Sequence, residues 1–255
     1  MATEVITDDR HLYADDRFVW LQTNRNFGNT SPQQSPDGLE NREHALRELR
    51  EYTTANFLVR MFVANRAGFI DLGMEDIVGD SGGKIRTDGF ITLSPNHILH
   101  GNSADCGEIT VTGFGELVER PVLGLVHAGR QVISENGHIE PLEYMCEKYG
   151  VKPEEMSVRL SPSIRKASYV FPEIKDARLL EPGWEGYVEQ IETGEWSVDA
   201  HQRTIDDLVR FGVAPNNIYS SPDDTAASEA YFSNYNHDRG LQEKGFNGIF
   251  TALRQ

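Results

Sequence analysis

Hydrophobic positions along this chain follow two spacings, and each predicts a different kind of element. "RFVWLQ" (17–22) is a compact apolar run and reads as a strand. A polar loop containing Pro32, Pro36 and Gly38 follows it. "LENREHALRELREYT" then repeats every three to four residues, which predicts a helix with Ala45, Leu46, Leu49 and Tyr52 inward and Asp37 with Glu40 as its capping pair. "FLVRMFV" is a strand of mixed period. "GDSGGKIRTDG" is a glycine-rich turn region whose order is not that of a phosphate-binding loop. "GEITVTG" sets Ile109 and Val111 against polar neighbours, as a half-exposed strand does, whereas "PVLGLVHA" is more uniformly apolar and predicts deeper burial.

In "HIEPLEYMCEKYG" the residues Ile139, Leu142, Met145, Cys146 and Tyr149 share one helical face, with Pro141 in the first turn and Gly150 as the stop. Cys146 is therefore read as a small core residue. "MSVRL" is a short strand leading into the turn Ser161-Pro162-Ser163-Ile164. A second amphipathic helix spans roughly Val198 to Phe211, with Ile205, Leu208 and Val209 inward and Gly212 as its stop. "NIYSS" is a strand, and a polar tail closes on the apolar segment "GIFTAL". Strands outnumber helices, nothing repeats, and no segment reads as a linker. The expectation is one α+β domain over residues 1–255.

Composition narrows the function classes. With 255 residues, 38% hydrophobic and 25% charged, the chain can bury a substantial core. Its formal net charge of −16, from 40 acidic and 24 basic residues, repels phosphate backbones and argues against nucleic acid and anionic membrane as partners. The acidic excess is scattered, which reads as solubility. No apolar run follows Met1-Ala2-Thr3-Glu4, and no stretch approaches the ~18 apolar residues of a membrane span. Two cysteines give no disulfide framework, so a cytoplasmic location is expected.

The candidate chemistry lies in Ala104-Asp105-Cys106 and, twenty-one residues after the cysteine, in His127-Ala128-Gly129. A thiolate and an imidazole at the ends of neighbouring strands suit either a nucleophile–base pair or two ligands of a soft metal such as zinc or copper. Spacing alone leaves both open.

The segments around these residues resemble, in order, the signature blocks of the laccase-domain family, also called the polyphenol-oxidase or multicopper-oxidoreductase-like family. "TDGFITLSPNHILHGNSADC", "VLGLVHAG" and "LSPSIRKASYVFPE" stand where the family reads A-D-[GA]-[LI]-[IV]-T, A-D-C-x-P, H-A-G-W-R-G and G-P-[SA]-I-G-P-C-x-Y-E-V. "RNFGNTSPQQSPDGLENREHAL" and "AYFSNYNHDRGLQEKGFNGIFTAL" resemble its opening and closing blocks. The resemblance implies a β-sandwich-like core flanked by helices, and an activity on purine nucleosides, phosphorolysis or deamination, with a small-molecule substrate and phosphate. It also implies a metal or catalytic centre built from two histidines and a cysteine, of which Cys106 and His127 match the second and third members.

The first member is missing. Ala64 or Asn65 stands at its position, and no histidine occurs between His44 and His97. A zinc or copper site is then incomplete unless His97 or His100 substitutes, and the activity is expected to be weak or lost. Other departures agree: Arg130 follows Gly129 where the family has tryptophan, and Phe246 stands in place of an arginine after Gly245. Arg130, Ser163 and Arg239 are candidates for binding substrate or phosphate. Three readings follow: a purine nucleoside phosphorylase or deaminase using Cys106 and His127, a metal-free Cys–His hydrolase or amidase, and a pseudoenzyme or binding protein that keeps the fold without the activity.

Overall fold

The protein is described by a computed structural model that covers residues 2–31, 34–74 and 84–254. Pro32 and the Gly79–Gly83 portion of the glycine-rich segment lie outside the described residues. The strands are β1 (Thr3–Ile6), β2 (Arg10–Ala14), β3 (Phe18–Thr23), β4 (Phe57–Phe62), β5 (Ile70–Asp71), β6 (Lys84–Arg86), β7 (Gly89–Thr92) and β8 (His97–Ser103). They continue as β9 (Gly107–Gly115), β10 (Arg120–Ala128), β11 (Ser157–Leu160), β12 (Val170–Phe171), β13 (Val188–Gln190), β14 (Trp196–Val198), β15 (Ile218–Ser220) and β16 (Asn247–Leu253). The helices are α1 (Gly38–Arg50), α2 (Arg130–Ser134), α3 (Glu140–Tyr149), α4 (Ala200–Phe211) and α5 (Asn234–Asp238).

Among the described residues the strands form two main sheets, ordered β1-β2-β3-β16-β8-β4-β6 and β15-β11-β9-β10-β7-β5, with a small third sheet β12-β14-β13. Three apolar layers hold them. Ala45, Leu46 and Leu49 of α1 pack on Leu21, Ile98 and Phe250, covering the outer face of the first sheet. Phe18, Trp20, Val59, Leu99, Leu123 and Leu125 fill the space between the sheets. Leu142, Met145 and Tyr149 of α3 cover Ile109, Val111 and Val158 on the outer face of the second sheet. The result is an α/β/β/α stack, the expected α+β class with a sandwich-like core. Each leucine or isoleucine buried in these layers contributes about 1.5–3 kcal/mol.

Several local expectations change in this context. β9 is buried on both faces because it lies in the middle of its sheet, with Thr110 and Thr112 turned into the inter-sheet layer beside Leu125 and Leu123. "GIFTAL" is part of the central strand β16, hydrogen-bonded to β3 on one side and β8 on the other. Asp37 occupies the N-cap of α1 but makes no side-chain cap bond, its backbone being already helical. In α4 the buried residues are His201, Arg203, Thr204, Asp207 and Leu208, and Ile205 packs against the outer core as expected, whereas Val209 is 40% exposed. Cys146 is half-buried against the outer core, and burial pushes its thiol up to about 11.

The candidate active site

The chain passes from the first sheet to the second at Ala104-Asp105-Cys106, between β8 and β9. Asp105 takes the left-handed φ of 92°, which only a tethered residue other than glycine sustains at small cost. Three bonds provide the tether: Oδ1 accepts from Thr225 Oγ1 at 2.7 Å, Oδ2 from the Tyr235 amide at 2.6 Å, and its carbonyl from the Ile164 amide at 2.9 Å. Burial raises the Asp105 carboxyl in spite of these bonds. The turn presents Cys106, half-buried, at the end of the sandwich.

His127 arrives from β10. The β9–β10 hairpin pairs Gly107 with Ala128 and Glu108 with His127, so the glutamate and histidine project from the same face into the end of the inter-sheet layer. His127 Nδ1 lies 2.9 Å from Glu108 Oε1, the nitrogen donating, and its amide donates to the Asp88 carbonyl at 2.7 Å. Its other ring nitrogen faces the cysteine. A methyl group built on Gly129 would lie 2.8 Å from His127 Nε2 and 3.4 Å from Cys106 Sγ, so both reactive atoms border one point above that glycine. Burial would lower His127, but the charge on Glu108, then that on Cys106, and hydrogen bonds from both hold it well above its ordinary value. Glu108 is fully buried; burial raises it and the imidazolium opposes that. Cysteine, imidazolium and carboxylate therefore form one relay. Glu108 was absent from the sequence reading, where it passed for the polar face of a half-exposed strand. Folding the two apolar runs about the Glu116–Glu119 turn would have set it opposite His127.

Cys106 opens into a cleft of about 400 Å³ lined also by Asn65, Gly129, Arg130, Arg178 and Arg239 and by the acidic residues Asp105, Asp176 and Asp238, with Tyr169, Phe171 and Tyr235 as walls. The Arg130 guanidinium lies 5.5 Å from the Tyr169 ring centre and 5.7 Å from that of Phe171. Arg239 stacks 3.3 Å over the Tyr235 ring and donates to the carbonyls of Tyr235 and Val170. Ser163 does not face this cleft. It lines a narrow recess of about 40 Å³ that shares Cys106 and Arg130, and its hydroxyl is engaged with His201 Nδ1 at 2.8 Å. His201 Nε2 continues to Ser220 Oγ at 2.6 Å, and burial holds the ring down at about 3.

The position of the missing family histidine also borders the cleft. Asn65 lines it, in the left-handed conformation (φ 52°). The loop is fixed by Asp88, whose carboxylate accepts the amides of Ala64, Asn65 and Arg66 at 3.0, 3.0 and 2.7 Å. The histidines proposed as substitutes lie elsewhere. His100 is stacked on Phe250, centroids 4.2 Å apart, on the α1 face of its sheet, while its neighbour Gly101 is the residue that faces Glu108. Strand alternation thus turns His100 away from the cleft. His97 is bonded to Thr92, which pairs with Leu123, four residues along β10 from His127, or about 13 Å of strand. Neither reaches Cys106. The residues that line the cleft offer a thiol, the Asn65 amide, poorly matched to soft metals, and the acidic residues Asp105, Asp176 and Asp238, with His127 behind Cys106 and Gly129. Among the described residues no three His, Cys, Asp or Glu side chains converge as a metal site. The residues present do not fit a three-ligand zinc or copper centre.

The profile of the family described as multi-copper polyphenol oxidoreductase laccase matches residues 23–248. The chain belongs to that family. Its fold is that of the Bacillus licheniformis hypothetical protein YfiH, with a TM-score of 0.80 at 18% identity and 97% of each chain covered. YlmD from Geobacillus stearothermophilus superimposes with a TM-score of 0.77 at 18% identity, covering 93% of this chain and 92% of that one. The Neisseria meningitidis protein NMB0706 gives 0.71 at 16% identity, over 100% and 99% of the two chains. Among curated proteins, none matches the sequence. Among the described residues, no helix is long and apolar enough to cross a membrane.

Proposed function

We propose that this member of the family acts on purine nucleosides, cleaving the N-glycosidic bond with phosphate at low turnover and without a tightly held metal. The observation that carries the reading is the Cys106–His127–Glu108 relay, whose cysteine lines a cleft walled by aromatic rings, arginines and acidic residues. Tyr169, Phe171 and Tyr235 suit a planar heteroaromatic base, and Arg130 and Arg239 suit an oxyanion. A cleft of about 400 Å³ is of the size that small-molecule sites occupy.

In this reading His127 is the general acid. A phosphate oxygen bonds to the ribose C1′ while the bond from C1′ to the base nitrogen breaks, its electron pair passing into the purine. The His127 Nε2 proton goes to a ring nitrogen of the departing base, and the proton shed by the new phosphate ester returns to the imidazole. Glu108 holds the imidazolium in place, a role supported by its 2.9 Å bond to Nδ1. Cys106 lies on the Nε2 side of the ring, between His127 and the cleft. Acid catalysis of this kind supplies about 10²–10⁴ in rate.

The test is incubation with adenosine, inosine or guanosine plus phosphate, with chromatographic detection of free base. Slow release that is abolished in His127→Ala and in Cys106→Ala supports the reading; equal release by both variants refutes it. A second reading rests on the same relay: a thiolate, a base and an orienting carboxylate also make a thiol hydrolase. It expects a burst with an activated ester and an acyl mass increment on Cys106. Nucleoside binding with neither turnover nor acylation would make the protein a binding member of its family.

A further inference from the structure

The relay cysteine borders a second, narrower space. A recess of about 40 Å³ shares Asp105, Cys106, Arg130 and Tyr169 with the cleft and lies between α4 and the ends of β9, β10 and β11. Gly107, Ala128, Leu160, Ile164 and Ala200 make most of the rest of its wall apolar. The polar groups in that wall are already committed. Ser163 Oγ lies 2.8 Å from His201 Nδ1, His201 Nε2 lies 2.6 Å from Ser220 Oγ, and Thr204 Oγ1 donates to the Ala200 carbonyl at 2.9 Å. The Asp105 carboxylate is taken up by Thr225 and the Tyr235 amide. Burial holds His201 down at about 3, so the ring stays neutral between its two hydroxyls. Such a wall offers little to a charged or strongly polar occupant.

Gly107 sets the width of the recess. It pairs with Ala128 across the hairpin, and a methyl group on it would stand 3.9 Å from the Ala128 Cβ and 4.0 Å from the Ser163 Cβ, in ordinary contact with both. A side chain here would therefore occupy the recess without disturbing its wall. A water molecule needs about 10–15 Å³ of such space, so the recess holds about three or four non-hydrogen atoms. Its reactive groups, the Cys106 thiol and the Arg130 guanidinium, belong to the recess and the cleft alike.

We infer that the recess is an acyl pocket, taking the alkyl part of a short acyl group of about two to four carbons while Cys106 attacks its carbonyl carbon. The inference goes beyond nucleoside cleavage and rests on the thiol chemistry of the second reading. The Cys106 thiolate bonds to the acyl carbon as the C–O bond to the leaving group breaks, and the departing oxygen takes the His127 Nε2 proton. Arg130, lining both spaces, is the cation available to the developing oxyanion. Water then adds to the thioester carbon, its proton returning to His127. The C–S bond breaks, releasing the carboxylic acid and restoring the thiolate.

The test is acylation of the full chain by p-nitrophenyl acetate, butyrate and octanoate, read as nitrophenolate release and as added mass on Cys106, with iodoacetamide reporting thiol reactivity alone. Relative to their rates with free N-acetylcysteine, acetate and butyrate should acylate Cys106 at least about tenfold faster than octanoate. Cys146, half-buried with its thiol pushed up to about 11, should remain unmodified. Gly107→Ala should lower the butyrate-to-acetate ratio about tenfold, and Ile164→Ala should raise octanoate relative to acetate. Should Ile164→Ala fail to accumulate, Gly107→Ala decides. Equal acylation by all three esters, or ratios unmoved by Gly107→Ala, would refute the acyl pocket while leaving Cys106 a nucleophile. No acylation by any ester, with iodoacetamide still modifying Cys106, would refute the thiol reading and the pocket together.

Discussion

Glu108→Gln isolates the charge in the relay from its shape. The amide keeps the volume of the carboxylate and an acceptor for the His127 Nδ1 proton, but it removes the largest influence holding the imidazole protonated. What remains is the smaller influence of Cys106 against burial, which favours the neutral ring. Taking away one member of a fully buried pair costs about 3–5 kcal/mol, and for a chain of this size that lowers Tm by about 6–20 °C. The penalty depends on pH. A histidine raised in the folded state contributes stability that is complete below its unfolded value near 6.5 and is lost as pH climbs through the folded value. Glu108, also raised, begins to lose its share lower, from about 4.5 upward, so the window above pH 6.5 belongs to His127. The native chain should therefore exceed Glu108→Gln most at pH 6, with the gap closing as pH rises. Scanning fluorimetry across pH measures the gap, and nitrogen-15 NMR of the His127 ring measures its protonation. Equal Tm values at pH 6, or a ring that titrates alike in both proteins, would mean that the glutamate and histidine are not an ion pair.

Two further outcomes follow from the same geometry. Gly129→Ala places a methyl group 2.8 Å from His127 Nε2 and 3.4 Å from Cys106 Sγ. It should reduce nucleoside cleavage at least tenfold while costing about 1–3 kcal/mol in urea unfolding, and undiminished turnover would show that this face of the imidazole is not where chemistry occurs. Asn65→His restores a third donor on a loop held by Asp88, next to a histidine already backed by a carboxylate as metal-bound imidazoles are. Zinc competition against a chromophoric chelator should then show about one retained ion per chain. No gain over the native chain would mean that the loop does not point a side chain at Cys106.

The local sequence settled what depends on near neighbours. Apolar spacing located α1, α3 and α4 and most of the long strands, because a helix or strand exposes one periodic face wherever it is placed. Gly150 and Gly212 ended their helices as read, in the left-handed conformation at φ 70° and 118°. The eroded blocks around Cys106 and His127 were also legible, since motifs survive as short strings. The remainder required the third dimension. Whether Thr110 and Thr112 face solvent or core depends on which sheet covers β9, and nothing in "GEITVTG" encodes the partner. Glu108 became part of the relay through cross-strand register, and His100 was removed from it by strand alternation, though both lie within six residues of Cys106. Charge and burial act through space, so the positions that decide this protein's chemistry are those whose neighbours only the packed sheets could choose.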